Sequence, residues 1–142
     1  MKTLEDFVFI SYARNDSLLA EELAIILKNE NIKVRLAKND VDIGSDIKES
    51  INTALEKANS IIILISKYAF NSNWVRKEFE YVIFNEKYKD RILPVVIGNI
   101  TTDEFKNVPW VIKKTSFLQI QEGDVIETAK IIANSYKKMI KL

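Results

Sequence analysis

The chain has 142 residues, of which 47% are hydrophobic and 29% charged, a length and make-up that fit one globular domain with a single core. Its 21 Lys and Arg against 20 Asp and Glu leave a net charge of +1, scattered along the sequence, which speaks against the basic footprint of a nucleic-acid binder. Cysteine and histidine are absent, which excludes disulfides, thiolate nucleophiles, thiolate metal sites and His-based triads.

The segment Met1 to Asp6 carries charge and has no signal-peptide apolar region. Phe7 to Tyr12 (FVFISY) is β-branched and aromatic and predicts a first strand. Asp16 is placed to cap a helix that runs to about Asn29, with Leu19, Leu23, Ile26 and Leu27 inward. Lys33 to Ala37 predicts a short second strand. Ile47, Ile51, Ala54, Leu55 and Ala58 then follow the helical repeat. Ser60 to Ser66 (SIIILIS) has the continuous apolar run of a strand buried on both faces. A third helix spans about Asn73 to Glu86, with Val75, Phe79, Val82 and Ile83 on its inner face. Arg91 to Gly98 (RILPVVIG) predicts a fourth strand and Phe117 to Ile120 a fifth, with a short helix around Asp103 to Asn107 between them. Gly123 precedes a last helix, where Asp124 and Glu127 resemble a capping box and Val125, Ala129, Ile132, Tyr136 and Met139 face inward. No apolar run approaches the length of a membrane span, so the cytosol is the expected compartment.

Regular alternation of strand and helix implies a parallel sheet with right-handed crossovers. The expected fold is α/β, a flavodoxin-like three-layer arrangement whose five-stranded parallel sheet has the order 2-1-3-4-5, with helices on both faces. Pro94 cannot donate to a ladder, so it is expected at a bulge or near an edge. In such a sheet ligands sit beyond the carboxyl ends of the strands where the order reverses, here between strands 1 and 3. That crevice would be lined by Tyr12, Ala13, Arg14 and Asn15 after strand 1 and by Ser66 to Trp74 after strand 3, with the Lys38 to Ser45 loop beside them.

Within the third helix, Trp74 and Glu78 are four residues apart and can touch. A carboxylate beside an indole near a crevice is partly desolvated, which raises its pKa and suits it to acid–base or charge-stabilising work. On spacing alone a solvated Glu78 and a core-capping Trp74 account for the same pattern. Gly44-Ser45-Asp46 could offer backbone N–H groups to a phosphate or simply cap the second helix. Arg14 could pair with a phosphate or face water. Asp40, Asp42 and Gly44 superficially resemble a calcium loop, but Ile51 stands where the twelfth-position Glu belongs, and no metal is expected. Neither a G-x-G-x-x-G fingerprint nor a Walker loop is present.

Taken together these segments resemble a Toll/interleukin receptor (TIR) domain over most of the chain, most closely from Phe7 to Phe84. Phe9-Ile10-Ser11-Tyr12 with Asp16 behind it resembles the family's first box. Lys38 to Asp46, with Gly44, resembles the loop after the second strand, and Ser60 to Ser66 with Tyr68 the third strand and its exit. Asn73-Trp74-Val75-Arg76-Lys77-Glu78 is similar to the Trp-x-x-x-Glu segment of the NAD-cleaving members. Three positions depart from common family choices: Val75 where many members have Cys, Ala37 where many have Asp, and Ala13 where some relatives carry a bulkier, often basic residue.

The resemblance implies a single TIR domain over residues 1–142 that cleaves the nicotinamide–ribose bond of NAD+, giving ADP-ribose or a cyclic isomer. It implies that Glu78 is the catalytic glutamate, that Trp74 helps form its pocket, and that Ala13, Arg14 and Asp42 lie near the nucleotide. NAD+ would be the substrate, with no separate cofactor. The implied partners are other TIR domains, through self-association, with no nucleic acid and no membrane, in prokaryotic antiviral or other immune signalling. A non-enzymatic adaptor acting through the loop around Gly44 is the alternative. A receiver-like domain of the same sheet order is set aside, because Ser11 and Ser66 stand where it needs acids.

Overall fold

The computed structural model of the chain describes residues 7–36, 58–66, 91–98 and 118–140. Strands β1 (Phe7–Ser11), β2 (Lys33–Leu36), β3 (Ser60–Ile65), β4 (Ile92–Ile97) and β5 (Leu118–Ile120) form one sheet of order β2-β1-β3-β4-β5. Every pairing is parallel, as the alternation of elements requires. The helices expected over the second and third periodic segments, and the short one near Asp103, lie outside the described residues.

Burial follows position in the sheet. Every residue of β1 and of β3 is buried. Successive side chains of a strand point to opposite faces, so both faces of the sheet are covered there. The edge strands β2 and β5 are short and only partly buried, which limits the unpaired edge they present. Arg35 on β2 stacks its guanidinium over the Phe7 ring at 4.8 Å, a cation–π contact between the two neighbouring strands.

Pro94 sits in an unbroken register, Ile61 with Ile92 through Ile65 with Val96, so β4 has no bulge. The Arg91 carbonyl accepts from Ile61 N–H on β3, whereas Gly98 N–H donates to the carbonyl of Ile120, the last residue of β5. Backbone groups alternate sides along a strand, so odd residues of β4 address β3 and even residues address β5. The missing donor of Pro94 therefore faces the β5 side, where the described ladder begins one residue later at Val95 and Leu118. The near-edge half of the expectation holds and the bulge half does not.

Helix α1 (Ser17–Asn29) buries Leu19, Ala20, Leu23, Ala24 and Leu27, one stripe at helical spacing. Ile26, expected inward, is half-buried at the margin of that stripe and packs against the core. The helix ends in a Schellman motif: Ile32 N–H reaches the Leu27 carbonyl at 3.0 Å and Asn31 N–H the Lys28 carbonyl at 3.0 Å. Asn31 holds the required left-handed turn at φ 64°, and Asn tolerates it better than most side chains.

Helix α2 (Val125–Met139) starts with one half of the expected capping box: the Asp124 carboxylate accepts from Glu127 N–H at 3.3 Å, while the Glu127 carboxylate turns to Lys130 rather than back to Asp124 N–H. The Glu127 carboxylate pairs with Lys130 at 3.5 Å, both largely exposed, so the ion pair adds little. Ala129, Ile132, Ala133 and Tyr136 enter the core, and α2 packs against α1, so both helices lie over the same face. Lys137 on α2 also reaches Glu30 at the end of α1, 2.8 Å away. Among the described residues, no helix is long and apolar enough to cross a membrane.

Tyr136 brings a hydroxyl into this core, and it meets the Ser60 hydroxyl at 2.5 Å, where both residues are buried. Each satisfies the other in a place water does not reach. Tyr136→Phe keeps the ring and strands the Ser60 hydroxyl, so it should cost about 1–2 kcal/mol. A lower urea midpoint with an unchanged denaturant slope is the expected reading.

Candidate functional site

The carboxyl ends of the strands carry the chemistry-bearing residues. β1 stops at Ser11, and the chain then turns through Tyr12 and Ala13 into a single 3-10 turn, Arg14–Asp16, that runs directly into α1. Asp16 N–H donates to the Ala13 carbonyl at 2.8 Å, and Ser17 N–H donates to the Arg14 carbonyl. Consecutive bonds of this kind make residues 13 to 17 one stiff unit. The Ala13 side chain is turned inward and buried. Arg14 is exposed on the turn.

Asp16 occupies the cap position of α1 but does not cap it, because its side chain makes no bond to the helix amides. Its φ of −101° and ψ of 13° also lie away from the extended conformation usual at a cap. The carboxylate accepts instead from the Ser66 hydroxyl, 50 residues away at the exit of β3. This corrects the cap expected from the sequence. The pairing has no local signature: it follows from β1 and β3 being neighbours, which brings the loop after one against the exit of the other.

Burial raises the pKa of Asp16 above its ordinary value, the Ser66 hydrogen bond opposes that, and the negative charge of Glu122 adds to the rise. Glu122 follows β5 and lies beside the exit of β4, where a Cβ added to Gly98 would sit 3.9 Å from Glu122 Cβ. The native state therefore holds the Asp16 proton more tightly than the unfolded chain does. Stability is lost as pH rises from the unfolded value through the folded one, and the ionised carboxylate subtracts from stability above that window. Asp16→Asn, which still accepts from Ser66, should be more stable than the parent at neutral pH. The two denaturation midpoints should converge below the ordinary aspartate range, and equal midpoints at every pH would contradict the assignment.

Of the residues singled out from sequence, Ala13 and Arg14 directly follow the carboxyl end of β1, Ala13 buried and Arg14 exposed. Asp42, Trp74 and Glu78 lie outside the described residues. Asp16 and Glu122 were not foreseen as neighbours. Among the described residues, no cluster of acids is arranged to hold a metal ion.

Comparison with known proteins places this geometry. The family model described as TIR domain matches residues 8–125. The chain is 31% identical over 102 residues to "NAD(+) hydrolase TcpA" of Theionarchaea archaeon (strain DG-70-1), an alignment that covers 70% of this chain and 31% of that protein. It is 28% identical over 97 residues to "2' cyclic ADP-D-ribose synthase BtTIR" of Bacteroides thetaiotaomicron, covering 68% of this chain and 34% of that one. The chain thus spans about a third of the length of these curated relatives. Among solved structures it resembles the TIR domains of "the activated Roq1 resistosome", with a TM-score of 0.67 at 16% identity over 92% of this chain and 98% of that one. A family match across most of the chain, on a sheet of the order expected from its strand–helix alternation, means that the chain belongs to the TIR-domain family.

Proposed function

We propose that the chain is a single NAD+-cleaving TIR domain over residues 1–142, which releases nicotinamide and leaves ADP-ribose or a cyclic isomer. The observation that carries this reading is the coincidence of Trp74 and Glu78, four residues apart, with relatives named as an NAD(+) hydrolase and a 2' cyclic ADP-D-ribose synthase. Glu78 is the catalytic carboxylate in this reading and Trp74 a wall of its pocket. Ala13, Arg14 and Asp42 contact the nucleotide. Arg14, exposed on its turn beside the β1–β3 crevice, suits a diphosphate, because a guanidinium matches phosphate geometry with paired donors.

The chemistry fits a chain with no histidine. The bond between the ribose anomeric carbon and the nicotinamide nitrogen breaks, and the electron pair leaves with a neutral nicotinamide. No general acid is needed for such a leaving group. The ribose acquires oxocarbenium character, which a fixed carboxylate stabilises electrostatically. Water then attacks and gives ADP-ribose with loss of a proton, or a hydroxyl of the same molecule attacks and closes a ring. The protein brings its own groups to this reaction and uses no separate cofactor.

Activity depends on self-association in this reading, with TIR domains in an assembly completing one another's sites, in antiviral or other immune signalling in the cytoplasm. The test is nicotinamide release across a range of protein concentrations with the ribosyl product identified. Specific activity that climbs with concentration supports both parts of the proposal. No turnover by an assembled sample removes the enzyme and leaves a TIR adaptor.

A further inference from the structure

We propose that Asp16 is a positioning residue: its bond to Ser66 is a strut that holds the Ala13–Arg14 turn at a fixed place over the carboxyl end of the sheet. This inference rests on the reading of Ala13 and Arg14 as nucleotide contacts, and it deepens that reading with a residue that does not touch the substrate.

Four observations carry it. Asp16 stands at the start of α1, where a carboxylate ordinarily bonds the first helix amides, yet it makes no such bond. It accepts from Ser66 instead, across 50 residues of sequence and between the two strands that flank the crevice. The same residue closes the turn through its own N–H, which donates to the Ala13 carbonyl at 2.8 Å. Fixing its carboxylate therefore fixes the backbone that carries Arg14. Finally, burial and the Glu122 charge both oppose ionisation of Asp16. A group placed purely for stability gains nothing from that opposition, whereas sites that hold ligands commonly carry such costs.

The strut has a mechanical meaning. Ser66 leaves β3, a strand buried along its whole length, so the hydroxyl has a rigid base. The turn at residues 14–16 contains no buried residue and, among the described residues, is otherwise held by its own short-range bonds and by α1. Among the described residues, the Asp16–Ser66 bond is the long-range tie between this stiff turn and β3 that bears on where the exposed guanidinium starts from. A displacement of even an ångström at such a group weakens recognition of a diphosphate markedly.

Two pairs of variants separate the strut from general stability. Ser66→Ala and Asp16→Ala remove the bond, while Ser66→Thr and Asp16→Asn keep a donor and an acceptor. In hydrogen-exchange mass spectrometry the Tyr12–Ser17 peptide of the two Ala variants should exchange faster by at least about tenfold, the effect of losing a charge-assisted bond. The Val125–Met139 peptide should not change, and Ser66→Thr should restore protection. In nicotinamide release the Ala variants should raise KM by about tenfold with kcat nearly unchanged, and the conservative pair should return KM to the parent value. Unchanged exchange in both Ala variants overturns the proposal. Faster exchange with an unchanged KM in an active enzyme also overturns it, leaving a purely structural bond. If the parent chain releases no nicotinamide, the enzyme reading fails by itself, and the exchange arm still decides whether Asp16 and Ser66 hold the turn.

Discussion

Under the proposed function, Glu78→Ala should abolish nicotinamide release, with an expected loss of at least about a hundredfold at a protein concentration where the parent chain turns over NAD+. The reasoning starts from the leaving group. Nicotinamide departs as a neutral molecule, so the barrier lies in the positive charge that grows on the ribose. The groups able to counter a cation are carboxylates, and the motif supplies one at Glu78, spaced to lie against Trp74. Glu78→Gln separates two roles of that side chain. It keeps the shape and the hydrogen-bonding oxygen but removes the charge. If electrostatic stabilisation dominates, Gln is nearly as damaging as Ala, with KM close to that of the parent. If orientation of the ribose hydroxyls dominates, Gln retains much of the rate. Full activity in Glu78→Ala would end the enzyme assignment for this residue. Product analysis on the parent chain then distinguishes attack by water from attack by a hydroxyl of the same molecule.

The strand order could be read in advance because its causes are written locally. Six consecutive buried residues at Ser60–Ile65 announce a central strand, and the alternation with helices leaves few ways to order five parallel strands. The Asp124 cap was legible for the same reason, since its partner is three residues away. That Ala13 and Arg14 follow the carboxyl end of β1 could be read from the strand pattern alone. The Asp16–Ser66 bond could not, because the sequence shows a good capping residue and a serine after a strand, each with a sufficient local explanation. Only the contact between two chain segments overrides the local preference. The inward Tyr136 was visible from periodicity, but its hydroxyl partner Ser60, 76 residues away, was not. Pro94 shows the intermediate case. Its chemistry demanded a place without a ladder donor, and the parity of backbone groups along β4 identifies that place as the β5 side.

Leu23→Ala should lower stability by about 3 kcal/mol, within the usual range for emptying a fully buried leucine site. Leu23 is completely buried in the middle of the inner stripe of α1. Truncation there removes apolar surface from the core and leaves a space that the packed helix pair and the sheet beneath can close only in part. The same helix provides its own control. Leu18 and Ile25 are 58% and 51% exposed, so Leu18→Ala or Ile25→Ala should change stability by no more than about 0.5 kcal/mol. The three variants share one helix and nearly the same chemistry, so propensity contributes little to the contrast, and burial decides it. In thermal melts the Leu23 variant should fall by about 10 °C while the other two stay near the parent. In urea its midpoint should drop with the slope preserved, because the surface exposed on unfolding hardly changes. Equal losses at all three positions would mean that the inner face of α1 has been assigned wrongly. That would also undercut the placement of the Arg14–Asp16 turn, which α1 continues without a break, and with it the geometry on which the proposed nucleotide contacts depend.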